Sequence, residues 1–317
     1  MRSRTTLIIF GIFLAFTALA LWAASGEDIW QQIGRLTIGE LSILLALSLA
    51  NYFLRALRWM IFTRAIGLRS SALQIIRHYI GGFALTMTPA RLGEAVRMRW
   101  IAREAGARIE TVAPLILVDR AGDLASTGLL LAVSLTFGAT GIAGGLPAAI
   151  IAVIAAMIAT RPVLFRALID TAFCLIRRKA RLFVRARRAA RELAPFSSPL
   201  IAMPALLLGG IGWLAEGCAF YLLLTWMGAD VGFWTAVSIF LFSMMSGGVT
   251  GMPGGVGGAE AAMLALLAIN GVGLEIALPA TAIIRITTLW FAIGLGIVIF
   301  PFAETLAARS RHALEKD

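Results

Sequence analysis

Charge, cysteine and histidine are all scarce in this chain of 317 residues: Asp, Glu, Lys and Arg together make up 14% of it, with two Cys and two His. Cys174 and Cys218 are far apart and lack metal-ligand spacing, so they read as buried apolar thiols. His78 and His312 are too few for a zinc site. No Gly-Lys-Ser/Thr follows any glycine-rich run, which excludes a phosphate-binding loop for ATP hydrolysis. There is no Asp-x-Asp metal pair either, and no cofactor is implied.

Apolar sequence is abundant instead. Hydrophobic residues make up 60% of the chain and mean hydropathy is +0.89. Several spans of about 20 apolar residues account for this directly, whereas a soluble domain does not. The expected fold class is an all-α polytopic membrane protein. The formal net charge is +11, from 28 Lys+Arg against 17 Asp+Glu. Cationic loops are the ordinary property of a cytoplasmic membrane face, so the basic balance does not point to nucleic acid.

Taken in order, Arg2 and Arg4 precede the apolar run from Leu7 to Ala24. Ala18-Leu19-Ala20 resembles a signal cleavage site, but the run is long enough to span and an uncleaved first helix is expected. Glu27, Asp28 and Glu40 against Arg35 put the loop to residue 40 outside. Leu41 to Phe62 is the second span, and Arg55, Arg58 and Trp59, with Arg64 and Arg69 beyond, are expected at the cytoplasmic interface. Residues 73 to 101 are broken by Gly81, Gly82 and Pro89 and flanked by basic residues, which predicts a re-entrant hairpin. Thr111 to Phe137 is a span that carries Asp119, Arg120 and Asp123. Ile142 to Thr160 then returns to the cytoplasm.

Ten Lys/Arg fall between Arg161 and Arg191, the strongest cytoplasmic marker in the chain. This stretch reads as a basic loop or, with Leu175, Ile176, Leu182, Phe183 and Val184, as an interfacial helix; it could also dock a lipid-modifying enzyme. Leu200 to Met227 is a span with Glu216 in its middle. Phe233 to Met252 leads into a Gly/Pro tip, and Val256 to Ile269 follows. Those 14 residues make about 21 Å of helix, short of a roughly 30 Å hydrocarbon core. Ala277 to Phe300 is the last span and holds Arg285.

Two parts of the chain echo each other. Pro89-Ala-Arg-Leu-Gly93-Glu94 and Pro253-Gly-Gly-Val-Gly257-Gly-Ala-Glu260 share Pro-x-x-x-Gly with a glutamate just after, 164 residues apart, and Arg120 and Arg285 lie 165 apart. Each half reads span, broken hairpin, span, and the charge pattern gives the halves opposite orientations. The expectation is about six full transmembrane helices plus two re-entrant hairpins in an inverted repeat, a transporter architecture whose substrate sits where the breaks meet. It divides into residues 1 to 40 (first helix and outer loop), 41 to 137 (repeat 1), 138 to 199 (connecting helix and basic loop), 200 to 301 (repeat 2) and 302 to 317 (cytoplasmic tail). Both termini would be cytoplasmic.

The candidate substrate-binding residues follow from these breaks and from charge at membrane depth. Arg91, Glu94 and Arg97 are spaced three apart, either as a self-neutralised surface helix or as a phosphate headgroup site. Asp119 and Asp123 share a helix face beside Arg120. Arg285 has no acidic neighbour in its own helix and needs Glu260, Glu216, Asp123 or a bound anion; a purely structural ion pair is the other reading. Gly254, Gly255, Gly257 and Gly258 would allow close backbone approach, and the short helix beginning there would aim its N–H groups at an anion. Glu260 would carry a proton, neutralise Arg285 or cap that helix.

Arg91-Leu92-Gly93-Glu94 with Arg97, Asp119-Arg120-x-x-Asp123 and Pro253-Gly254-Gly255-Val256-Gly257-x-x-Glu260 together resemble the flippase-like membrane domain of lysylphosphatidylglycerol synthases. That domain also stands alone in bacterial and archaeal membrane proteins, and the likeness covers nearly the whole chain. The resemblance implies that in the full synthases this domain moves an aminoacylated phospholipid between leaflets. The expectation for this chain is a translocator of a phospholipid or an isoprenoid-linked lipid in the cytoplasmic membrane, downhill or proton-coupled because no ATP-hydrolysing motif is present. The short tail after Phe300 leaves no room for the soluble synthase domain, so synthase activity is not expected. The alternatives are a membrane-embedded enzyme using Asp119, Asp123, Glu216 and Glu260 on a lipid phosphate or lipid-linked sugar, and an accessory subunit of a lipid-modifying enzyme.

Overall fold

The computed structural model describes residues 36–88, 92–138, 145–176 and 193–314, and every regular element among them is helical. The Leu7 to Ala24 run, Pro89, Arg91 and most of the basic stretch, residues 177–192, lie outside the described residues. Helix α1 spans Ile38–Ala65, started by a capping box: Thr37 Oγ1 accepts from the Glu40 N–H and the Glu40 carboxylate accepts from the Thr37 N–H. Helix α2, Ala72–Gly82, opens on the same device with Ser71 and Gln74. It tightens into a single 3₁₀ turn, Phe83–Leu85, and the chain re-enters a helix as α3, Leu92–Glu104.

Glycine makes this hairpin close. A Cβ on Gly93 would lie 2.1 Å from the Gly82 carbonyl oxygen, and one on Gly82 would lie 2.7 Å from the Arg97 side chain. Helix α4, Pro114–Phe137, carries proline in its first turn, where the missing N–H costs nothing. Helices α5, Gly145–Thr160, and α6, Pro162–Ile176, meet at a 97° bend. Further along, α7, Pro199–Trp226, has the same 28 residues as α1. It is followed by α8, Phe233–Val249, a 3₁₀ turn at Pro253–Gly255, and α9, Gly258–Ile269. Helix α10, Leu274–Arg285, runs through a π-helical turn, Ile286–Trp290, into α11, Phe291–Leu314.

Three helices among the described residues are long and apolar enough to cross a membrane: α1, α7 and the composite Leu274–Arg309; the bent α5–α6 pair makes a fourth if counted as one span. Of the six expected spans, Leu7 to Ala24 lies outside the described residues, and α4 falls short on apolarity because Asp119, Arg120 and Asp123 interrupt its run. The last helix also differs from expectation. It passes Pro301 without stopping, and the segment expected as a tail packs Ala303 and Ala307 against Leu85, Val96 and Trp100, with Glu304 accepting from Arg99 and Trp100.

Two apolar cores flank a polar middle. One gathers Leu44, Leu131, Phe220, Phe240, Met263 and Ile284; the other gathers Trp59, Phe62, Ile75, Tyr79, Leu115 and Phe196. Helices α1 and α4 run through both, and between their apolar ends they bury Ser48, Asn51, Tyr52 and Arg58, and Asp119, Asp123, Ser126 and Thr127. Burying polar groups is unfavourable unless each finds a partner, so this belt fixes where the charged chemistry sits.

Candidate functional site

A cavity of about 750 Å³ opens in the polar belt. Its charged lining comes from α1 (Arg55), α3 (Glu94, Arg97), α4 (Arg120, Asp123), α7 (Glu216) and α10 (Arg285). The glycine-rich tip supplies Gly254 and Gly255, the former with φ +64° and the latter with φ +69°, a region in which a Cβ is strained. Eight of the thirteen sequence-predicted residues therefore line one cavity: Glu94, Arg97, Arg120, Asp123, Glu216, Gly254, Gly255 and Arg285. Asp119 sits behind it, 1% exposed, while Gly257, Gly258 and Glu260 stand outside its lining. Arg91 is outside the described residues. The two chain breaks touch here, since a Cβ on Gly254 would come 2.7 Å from the Met87 sulfur.

Four carboxylates in or beside the cavity, Glu94, Asp119, Asp123 and Glu260, are each matched to an arginine. Arg58 Nη2 donates to Asp119 Oδ1 at 2.6 Å and to Asp123 Oδ1 at 2.7 Å, and Arg55 Nη2 donates to Asp123 Oδ2 at 2.5 Å. Arg120 pairs with Glu94 at 3.2 Å and lies 3.5 Å from Asp123. Arg285 Nε donates to Glu260 Oε1 at 2.6 Å, and its Nη2 donates to the Gly254 carbonyl at 2.8 Å. Glu260 Oε2 accepts from the Gly257 N–H at 2.6 Å. The carboxylate thus occupies the N-terminus of α9, where a bound anion had been expected. Of the partners anticipated for Arg285, Glu260 is the one that binds it.

Arg97 and Glu216 stand apart from this pairing. Arg97 is sandwiched between Trp59 and Tyr79, its guanidinium carbon 4.9 and 4.4 Å from the ring centroids, and its nearest carboxylate oxygen is Asp119 Oδ2 at 3.9 Å. Its Nε and Nη1 donate to nothing. Glu216 is 5% exposed and its partner is a neutral amide, Asn51 Nδ2 at 2.6 Å. Asn51 Oδ1 has no donor.

Sequence reasoning placed Arg55 and Arg58 at the cytoplasmic interface, and the structure corrects this. Arg58 and Trp59 are both 0% exposed, and the two arginines turn inward because Asp119 and Asp123 offer counter-charge at the matching height of α4. Arg64 and Arg69, further along, are exposed as expected. Asn51, Tyr52 and Trp213 were also missed. The signal was present as Asn51, Arg55 and Arg58 on one helix face, spaced four and three apart within an apolar run.

The sequence model of the lysylphosphatidylglycerol synthase transmembrane region matches residues 7–296. The chain belongs to that family. Two UPF0104 membrane proteins of Methanothermobacter thermautotrophicus are similar to this family member, one 24% identical over 90 residues and the other 30% identical over 88. Each match covers 28% of this chain, and the chain covers 27% and 26% of those relatives' lengths. The lysylphosphatidylglycerol synthase match, unlike these, takes in every element that lines the cavity.

Proposed function

We propose that the protein moves a phosphate-bearing lipid between the leaflets of the cytoplasmic membrane, downhill or proton-coupled and without hydrolysing ATP. The observation that carries this reading is Arg97, a guanidinium in the cavity wall that donates no hydrogen bond to a carboxylate among the described residues, its nearest carboxylate oxygen being 3.9 Å away. Guanidinium forks onto phosphate, and Trp59 and Tyr79 hold the fork in place without neutralising it. The cavity rim supplies the other half of an amphiphile's requirement: Leu124, Val249 and Met252 line it and are 40%, 88% and 47% exposed. A charged floor under an apolar rim suits a headgroup whose acyl chains stay in the bilayer.

The halves are read as an inverted repeat whose two hairpins are re-entrant, with the termini cytoplasmic. Asn51 and Glu216, in hydrogen-bond contact, are 165 residues apart, the same offset that relates Arg120 to Arg285. Equivalent residues of two inverted halves would meet at a pseudo-two-fold axis, so this contact between α1 and α7 supports the inverted-repeat reading.

The test is a leaflet-sidedness assay in proteoliposomes carrying fluorescent phospholipids of several headgroups, reduced from outside by dithionite. Wild type should expose the inner-leaflet dye, and Arg97→Ala should return exposure to the protein-free rate while Arg97→Lys keeps part of it. Equal exposure by wild type and Arg97→Ala would remove Arg97 from the site, and no exposure with any lipid would overturn the translocator reading.

A further inference from the structure

Among the described residues around the cavity, five guanidiniums, Arg55, Arg58, Arg97, Arg120 and Arg285, accompany five carboxylates, Glu94, Asp119, Asp123, Glu216 and Glu260. Four of each are joined in ion pairs no longer than 3.2 Å, leaving Arg97 and Glu216 as the unmatched cation and the unmatched carboxyl. Glu216 is buried on α7, and the charged groups that face it are all engaged elsewhere. On α1, Arg55 is bound to Asp123 and the Tyr52 hydroxyl donates to the Thr288 carbonyl. On α4, Asp123 is held by arginines, and on α10, Arg285 is bound to Glu260. Helix α8, packed on the same helix, carries no titratable side chain.

We propose that Glu216 is the proton site of this cavity and that it takes up one proton for each phosphodiester lipid bound. In the empty site, ionised Glu216 balances the surplus charge of Arg97 across the cavity. A phosphate that settles on Arg97 cancels that surplus. The Glu216 carboxylate is then a buried anion with only the Asn51 amide beside it, and it is stabilised by adding a proton to its oxygen. Cargo anion and proton therefore load together, and the balance among the described charges is the same in both states. The structure thereby separates Glu216 from Glu260, whose carboxylate is committed to Arg285 and the Gly257 N–H.

The coupling rests on the lipid reading of Arg97; the proton site does not, and the experiment separates them. Short-chain dihexanoyl phosphatidylglycerol, a phosphodiester with no amine, is titrated calorimetrically into the detergent-solubilised protein in two buffers of different ionisation enthalpy. Wild type should take up close to one proton per lipid, with affinity falling about tenfold per pH unit above the titration of Glu216. Glu216→Gln should bind the lipid with no proton uptake and no pH dependence. Lipid binding without proton uptake in wild type, or unchanged uptake in Glu216→Gln, overturns the coupling. Infrared difference titration of the lipid-free protein tests the proton site by itself. A protonated-carboxyl band should vanish in Glu216→Gln and shift in Glu216→Asp, which keeps the carboxyl if the glutamine variant fails to fold. A band unaffected by both overturns the assignment. A Glu216 band with no heat from any lipid overturns the lipid reading and the coupling together.

Discussion

Arg58 and Arg285 both balance carboxylates beside the same cavity, and their surroundings differ. The Arg58 side chain is 0% exposed and Asp119 is 1% exposed; α1 and α4 close around them, and Asp123 joins the same group. Arg285 sits at the cavity wall with Glu260 27% exposed, and it also grips a backbone carbonyl of the glycine-rich tip. A charge cluster sealed between two helices cannot open without exposing unpaired buried ions, so the first cluster is a fixture of the fold. The second ties down a tip whose Gly251, Gly254, Gly255 and Gly257 all have positive φ, backbone that changes direction at little steric cost. Of the two, the second is the one tied to such backbone.

The largest effect should come from breaking the fixture. Arg58→Ala leaves Asp119 and Asp123 short of a partner in a sealed site and should cost about 3–5 kcal/mol, seen as loss of folded protein or a large drop in thermal midpoint in detergent. Stability unchanged would mean that the cluster is hydrated and not sealed. Next is Gly209→Ala on α7, where a Cβ would lie 2.3 Å from Ser126 Oγ and 2.8 Å from Arg58 Nη1. Pushing α7 off α1 and α4 there should cost about 1–3 kcal/mol. Gly210, with nothing within 4 Å of its Cβ position, is the control that should tolerate alanine.

Glu260→Gln sharpens the comparison from the other side. Its partly exposed pair should contribute no more than about 1 kcal/mol to stability, while lipid movement in proteoliposomes should fall to the protein-free rate. A variant that unfolds as readily as Arg58→Ala would erase the distinction between the clusters.

The smallest effect is expected at the end of α3, away from both. Burial pushes the Glu104 carboxyl up, but the hydrogen bond and charge of His78, the Arg77 guanidinium and the Gln74 amide outweigh it and hold the group below its ordinary value. A lowered carboxyl stabilises the fold above the ordinary carboxylate range, and that stabilisation is lost as pH falls through the lowered value. The thermal midpoint of wild type should therefore decline on acidification from neutral toward about pH 4, and Glu104→Gln should show a shallower decline. Parallel curves would remove Glu104 from the account.

Much of the site could be read along the chain because charge at membrane depth is conspicuous in one dimension. Asp119, Arg120, Asp123, Glu216 and Arg285 each interrupt an apolar run, and Gly/Pro clusters mark both breaks. Arg55 and Arg58 were hidden by their position: near the end of an apolar run, arginines that snorkel and arginines that turn inward have the same sequence signature. Only α4, packed alongside, distinguishes them. The helix continues past Phe300 and Pro301, where contacts with α3 that the sequence does not display carry it on.

Composition and apolar periodicity by themselves determined that this is a helical membrane protein, where its chain breaks fall and which charges lie at depth, since each is a cost that local sequence alone imposes. Which charges neutralise which was decided by tertiary structure, because Arg58 meets Asp119 across 61 residues and Asn51 meets Glu216 across 165. Pairing is a matter of distance in space. It was the packing of α1, α3, α4, α7 and α10 that left Arg97 and Glu216 as the two groups outside the close ion pairs.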